Sequence, residues 1–563
     1  MKSLGHVGWC IRALALESIL LGVLSSSSVL AQTVPQDQQP DPNVPSLRVT
    51  TSLVFLDVTV VDASGRPVAT ALTQNDFQIT EAGKPQRIFS FEPSEIHKMA
   101  PDSKEDDPNG TAPATIFVLD RLNSALDDFQ RGRLALRAYL ETQPDTLDSP
   151  AELLVLGNNS LEMVQGYTRS KADLVSAVDE VQPEVPYKLA HPDFNGERAH
   201  ESLSALIEIA VQNTGVPGRK NIFWVGPGGP SLTRAAYGPM LDAWKPFVHR
   251  TVDLLVDSRV SLFVVFPVLQ LAESSLTLGS PDADDRSSNI GNNRVSTGDV
   301  NFALIARQTG GALFYNRNDI DGEIGESRQL GAHYYTLTYQ STNHNLDGKY
   351  RPITVKLRVP GLRAITKQGY YALDRNGPMD PQQRVVSNIT HAASSSLPFN
   401  ALSLRVSDVD RQPALHSAQF TIHIQPKNLG WVQIADGKKV ANLIMGVTSL
   451  SGSKKILAWK FEKLDLQSTA EKPDELKAEL RARLTARIPP RTRTIRVVLE
   501  TSDGGRIGTA DIDGGTLDSA PVESAPAHSA TPPSANPAHG SAPNPTGQQS
   551  SHRVGPAINP AQS

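Results

Sequence analysis

The chain has 563 residues, 39% hydrophobic and 20% charged, with a formal net charge of -5. That length accommodates three or four domains with sizeable cores. The mild acidity and the lack of a basic stripe argue against a nucleic-acid partner, and a single cysteine, Cys10, excludes a disulfide framework or a thiolate metal site.

Residues 1–31 read as a secretory signal peptide. Lys2 and Arg12 precede an apolar stretch from Ala13 to Leu24, interrupted by Glu17, and Val29-Leu30-Ala31 fits a cleavage site before Gln32. The alternative, an uncleaved anchor, asks more of a run that is short for a span of about 20 residues. The expectation is an exported chain, periplasmic or extracellular, with no transmembrane segment once cleaved. Residues 32–46 are Pro- and Gln-rich and read as a linker.

Residues 47–95 read as a small β module. "LRVTTSLVFLDVTVVDASGRPV" is rich in β-branched residues and breaks at Ser64-Gly65, and "DFQITEAGKPQRIFSFEP" repeats the pattern with Ala82-Gly83 at its turn. A change of period marks the α/β region, residues 112–375. "TIFVLD", "AELLVLG", "KNIFWVG" and "VSLFVVFPV" are short continuous apolar runs, as in strands buried on both faces. Helical spacing separates them in "RGRLALRAYLETQ", "KADLVSAVDEV" and "ESLSALIEIAVQN". Strands alternating with helices predict an α/β fold, a doubly wound and mainly parallel sheet. "HYYTLTYQ", "KYRPITVKLRV" and "AITKQGYYAL" add alternating strands at its end.

Residues 376–396 read as a linker, and residues 397–515 as a β-sandwich of short strands with turns at Asp436-Gly437 and Asp503-Gly504. One insert, "PDELKAELRARLTAR", reads as a helix with Leu476, Leu480 and Leu484 on one face. Residues 516–563, almost wholly Ala, Pro, Ser, Gly and Asn, lack the large apolar side chains that offset ordering entropy and read as disordered.

From about residue 50 to 372, the ordered pieces "VFLDVTVVDASGRPVATALTQNDFQITEAGKPQRIFSF", "IFVLDRLNS", "GRKNIFWVG", "IARQTGGALFYNRNDI" and "DGKYRPITVKLRVPGLRAITKQGYYA" resemble the acidobacterial VWFA-related domain family. That family is a divergent branch of the von Willebrand factor type A fold. The resemblance implies a divalent-cation site at the carboxyl edge of the sheet. Its oxygens would come from an Asp-x-Ser-x-Ser motif, a later Thr and a second Asp. Asp120 matches the first Asp, Ser124 the second Ser and Thr168 the Thr; Leu122 stands at the first Ser, and after "NIFWV" the chain reads "GPGGPS" in place of an Asp. The implied site is degenerate, with either no cofactor or weakly bound Mg²⁺ or Mn²⁺.

Ser124 has a second reading. With Asp127 three residues on, it fits a capping box that would start a helix. "VGPGGPS" lacks the Lys of a phosphate loop and reads as a tight turn; "PDADD", residues 281–285, reads as a solvated acidic loop or a Ca²⁺ site. No His-Glu-x-x-His or Gly-x-Ser-x-Gly motif occurs. These features point to a non-enzymatic protein that binds an extracellular or envelope protein through the carboxyl edge, in adhesion or scaffolding. The alternatives are a hydrolase whose site has no motif, since triads are defined by geometry and not by sequence position, and a purely structural envelope component.

Overall fold

The computed structural model describes residues 53–514 except 69, 100–111, 159, 231, 233–237, 267–300, 315–318, 374–380, 413–415, 435–436, 474–478 and 503–504. The expected signal peptide, first linker, acidic loop and tail lie outside the described residues.

The chain opens with β1 (Leu53–Val61), β2 (Phe77–Glu81), β3 (Lys84–Gln86) and β4 (Ile88–Glu92). Alternation buries Val54, Leu56, Val58 and Val60 on one face of β1. β2 and β3 meet through the two-residue turn Ala82-Gly83, with φ of 47° and 78°. Positive φ at both positions suits the right-handed twist of a tight hairpin.

The α/β region follows as β5 (Ala114–Asp120), α1 (Leu126–Glu141), β6 (Thr146–Leu156), β7 (Leu161–Ser170), α2 (Lys171–Glu180), α3 (Asn195–Gln212), β8 (Lys220–Val225), α4 (Lys245–Asp257), β9 (Val260–Val265), α5 (Phe302–Gln308), β10 (Leu313–Phe314) and α6 (Ile320–Ala332). The sheet order is β10-β9-β8-β5-β6-β7, parallel throughout except for the β6/β7 pair. The turn between β6 and β7 is too short for a crossover, so β7 returns antiparallel. On one face α1, α2 and α6 bring Leu136, Leu174 and Ile324 against Phe117, Phe223 and Phe263. On the other, α3, α4 and α5 bring Leu206, Leu255 and Ile305 against Ile116, Val118 and Trp224. The chain leaves β5 toward β6 on one side and later returns past it to β8 on the other, and this reversal of strand order opens a crevice at the carboxyl end of β5.

Four strands complete this half of the chain: β11 (Tyr335–Gln340), β12 (Tyr350–Leu357), β13 (Arg363–Ile365) and β14 (Gly369–Tyr371). Here the sequence reading is corrected. The described part of residues 47–95 does not form a module of its own. Their strands pair with these later ones in two four-stranded sheets, β13-β1-β11-β4 and β14-β12-β2-β3. Leu56, Val58, Phe77, Ile79, Leu337, Tyr339 and Ile353 share one core between them. Two isolated hairpins bury too little apolar surface to be stable; the later strands supply the rest. The α/β region is thus an insertion into a β-sandwich. Arg259 Nε donates to Asp57 Oδ2 at 3.0 Å, and Arg219 Nη1 to Thr59 Oγ1 at 2.9 Å, across the junction.

The expected linker at 376–396 is also corrected. It contains α7 (Pro381–Ser394), whose Val385, Ile389, Ala392 and Ala393 pack with Phe399, Val498 and Ile507. The closing sandwich comprises β15 (Leu404–Gln412), β16 (Ser417–Ile424), β17 (Val432–Gln433), β18 (Lys439–Leu450), β19 (Ile456–Ser468), β20 (Leu480–Arg487), β21 (Thr494–Thr501) and β22 (Ile507–Asp513). A three-stranded sheet, β15-β16-β20, faces one built on β17-β18-β21-β22, with β19 paired to β18. From Leu480 on, the expected helical insert is instead β20, where Leu480, Ala482, Leu484 and Ala486 point inward at period two. Leu476 lies outside the described residues. A four-residue spacing of leucines satisfies both periods, and pairing with β16 decides for the strand.

Candidate functional site

Asp120 ends β5, the central strand that is buried throughout its length. Its side chain follows Ile116 and Val118 onto the α3 face, at the crevice. Every described contact of the carboxylate is an N–H donor. Oδ1 accepts from the backbone N and the Nδ2 of Asn123, both at 3.0 Å. Oδ2 accepts from Asn123 Nδ2 at 3.0 Å, Trp224 Nε1 at 2.9 Å and the backbone N of Gly228 at 3.1 Å.

The network extends into α3. Arg198 Nε donates to Asn123 Oδ1 at 3.1 Å, and Asn123 Nδ2 also donates to Ser202 Oγ at 2.9 Å. Ser202 Oγ in turn donates to the Arg198 carbonyl at 2.8 Å. Arg198 and Ser202 are one helical turn apart and so share the face turned to the sheet. All of these side chains are buried. Burial pushes the Asp120 carboxyl up from its ordinary pKa, against the N–H donors of Trp224, Asn123 and Gly228, which pull it down. Burial lowers the Arg198 guanidinium, and the charge of Asp120 opposes that. The two form an opposite-charge pair bridged by one carboxamide.

The loop after β8 seals this site. Gly226 has φ of +145°, and a Cβ there would lie 2.5 Å from the Cβ of Asp120. Gly228 has φ of +79°, and a Cβ there would lie 2.3 Å from Cδ1 of Phe302. Only glycine allows the backbone so close.

A divalent cation needs oxygen acceptors arranged around it. The Asp120 oxygens instead face five N–H···O contacts. Leu122 packs into the apolar core on the α3 face. The residues present do not fit Mg²⁺ or Mn²⁺, and the guanidinium of Arg198 supplies the positive charge. No group of three or more His, Cys, Asp or Glu side chains among the described residues is placed to hold a metal.

The three residues singled out by the sequence are not brought together. Ser124 does lie beside Asp120: a Cβ at Gly226 would be 3.1 Å from its Oγ. Thr168 does not. It pairs with Ala151, which pairs with Thr115 at the amino end of β5, whereas Asp120 pairs with Leu156 at the other end. Five residues of strand separate the two levels, about 16 Å. Thr168 lies in β7, which runs back toward the amino edge. There its Oγ1 accepts from the Ser170 backbone N at 3.1 Å, beside the start of α2.

The capping reading of Ser124 is corrected as well. The N-cap of α1 is Ala125, with no side-chain cap bond, and the buried Ser124 Oγ finds no hydrogen-bond partner among the described residues. Asp127 and Asp128 do occupy the first helical turn, where negative charge is favoured.

No family model matches this chain. No curated protein matches it either. Solved structures similar in part include the VWA domain of SpRpn10, with 12% identity over 28% of this chain and 76% of that one, at a TM-score of 0.17. The N-terminal domain of TFIIH p34 shows 11% identity over 40% of this chain and 97% of that one, at 0.18. Proximal thread matrix protein 1 from the mussel byssus shows 9% identity over 27% of this chain, which spans 37% of that protein's length, at 0.16. Likenesses at these TM-scores carry no argument. The mixed α/β architecture with its mainly parallel sheet rests on the strand pairings themselves. Among the described residues no helix is long and apolar enough to cross a membrane.

Proposed function

We propose that this is an exported, divergent VWFA-related protein whose α/β region binds a protein partner through the loops at the carboxyl edge, without a metal and without catalysis at that edge. Support comes from three solvent-exposed apolar side chains on those loops. Val185 and Tyr187, 72% and 52% exposed, lie between α2 and α3; Met240, 74% exposed, lies between β8 and α4. The first loop is anchored at the edge by Arg121 Nη1, which donates to the Gln182 carbonyl at 3.2 Å. Tyr187 packs edge-on against Phe194, with ring centroids 6.0 Å apart. Trp244, at the end of the second loop, sits close to Gly196 at the start of α3. Exposed Tyr and Met on a rigid floor are the residue types enriched at interface centres.

The test is photo-cross-linking in the native host, with a benzophenone side chain at 187 or 240 in the full chain and at 432 as a control. A partner adduct formed from 187 and from 240 and absent from 432 is expected, and Met240→Glu should abolish the adduct from 187. Equal capture from 432, or none from the edge, would overturn the reading.

A further inference from the structure

The closing sandwich carries a nucleophile, a base and an acid in contact on the outer face of its three-stranded sheet. In β16, β20 and the part of β15 before its irregularity the even-numbered residues, among them Val406, Ile422 and Leu484, face the core. Odd-numbered residues therefore face outward. The register sets Ser407 opposite Thr421, and His423 opposite both Arg405 and Arg481. Ser407 and His423 are thus diagonal neighbours on one face. Ser407 Oγ lies 2.7 Å from His423 Nε2, and His423 Nδ1 lies 2.9 Å from Glu479 Oε2. His423 is 5% exposed, while Ser407 remains partly open to solvent. Arg405 grips Glu479, Nε to Oε1 at 3.1 Å and Nη2 to Oε2 at 2.6 Å.

We propose that Ser407, His423 and Glu479 form a serine-hydrolase triad that cleaves carboxylic esters bearing a neighbouring negative charge. The site lies in a different part of the chain from the edge loops and does not rest on the binding reading above.

The geometry assigns the steps. Ser407 Oγ attacks the ester carbonyl carbon while His423 Nε2 takes its proton. The bond from carbonyl carbon to alcohol oxygen breaks, and His423 returns the proton to that oxygen. Water, giving its proton to His423, then attacks the acyl-Ser407 carbonyl. The acyl carbon–Oγ bond breaks, Oγ regains the proton, and the products are an acid and an alcohol. Glu479 accepts from Nδ1–H throughout, holding the tautomer and stabilising the imidazolium.

Two further features fit. Between Ser407 and Asp410 β15 advances three residues while β16 advances two, from Thr421 to Gln419. Such a bulge takes its extra residue out of the ladder and recurs beside active sites. Arg481 and Arg483 share the outward face and are exposed, which favours an anionic ester. Nδ1 also lies 3.1 Å from Arg405 Nη2. If Nδ1 accepted from Arg405, Nε2 would carry the proton and could not serve as base; the experiment reads which holds.

The full chain is treated with a fluorophosphonate probe, and its hydrolysis of a 4-nitrophenyl ester ending in a carboxylate is compared with that of the neutral acetate. Mass mapping is expected to place the label on Ser407. Ser407→Ala should lose label and turnover with unchanged circular dichroism. Glu479→Gln should slow turnover by about 10²-fold or more, as loss of the orienting carboxylate does in triads. The charged ester should be preferred, and Arg481→Ala/Arg483→Ala should remove the preference. A folded chain that is not labelled at Ser407, or turnover that survives Ser407→Ala, would overturn the proposal.

Discussion

Replacing Asp120 by Asn changes almost no volume but swaps one oxygen for an NH₂. At Oδ1 the new amide would face the Asn123 backbone N–H at 3.0 Å; at Oδ2 it would face Trp224 Nε1 at 2.9 Å and Gly228 N at 3.1 Å. In either rotamer a donor meets a donor. The milder placement, NH₂ toward Asn123, orphans one buried N–H and turns the remaining charge-assisted bonds into neutral ones. Each charge-assisted bond contributes about 1.5–3 kcal/mol, against about 1 for a neutral one. Arg198 also loses its buried counter-charge. Relief of the carboxylate's own desolvation offsets part of this, which leaves a net loss of about 2–4 kcal/mol. The measurement is a urea midpoint together with hydrogen exchange at the Asn123 and Gly228 amides, in EDTA and in excess Mg²⁺. An empty metal site predicts the opposite sign, because removing a carboxylate relieves an uncompensated charge. A variant as stable as wild type in EDTA, or wild type stabilised by Mg²⁺, would refute the reasoning.

Three further perturbations follow from the same region. Burial pushes Glu152 in β6 up to about 8 from 4.5, with Gln212 Nε2 donating to it at 3.4 Å. Its proton therefore stabilises the fold fully below pH 4.5. That contribution is lost as pH rises to about 8, by about 1.4 kcal/mol per pH unit at most. Glu152→Gln should flatten this decline in melts taken between pH 5 and 8; an unchanged slope would count against it. Ser124→Ala should leave the urea midpoint unchanged or raise it, since the buried hydroxyl makes no bond among the described residues, whereas a helix cap would lose about 1 kcal/mol. Gly226→Ala should lower stability by about 3 kcal/mol or more through strained φ and a displaced Asp120, read by the same unfolding curves.

What the sequence disclosed follows from what periodicity encodes. "TIFVLD" is buried on both faces in any parallel sheet, so β5 and Asp120 at its end were legible. Partner and register were not. Thr168 was placed by its order in the chain, and only the antiparallel return of β7 shows that it ends at the opposite edge. The same limit hid the pairing of β1–β4 with strands beyond residue 334. Arg198 and Ser202 did leave a signal: they interrupt the stripe that continues through Leu206 and Ile209, and polar residues on an inward face call for buried partners. Ser407, His423 and Glu479 left none. Alternation tells which face each occupies, but their contact depends on the register among β15, β16 and β20.

The insertion of the α/β region between β4 and β11 sets an order of events for a chain made from its N terminus. Phe91 must find Leu337, and Ile79 must find Val355. Closing a loop of about 245 residues costs about 5 kcal/mol of chain entropy beyond a constant. Once the α/β region has folded, only about 22 residues of chain connect it to β4 and β11, and the same expression falls by about 2 kcal/mol. The inserted region acts as a clamp that shortens the search for the sheets flanking it. Until it forms, Val54, Leu56, Val58 and Val60 on β1 have no cover from β11 or β12, and unpaired strand edges are where chains associate wrongly. Damage to the inserted core should therefore delay the surrounding sandwich, while damage to the sandwich should leave the inserted region free to fold first.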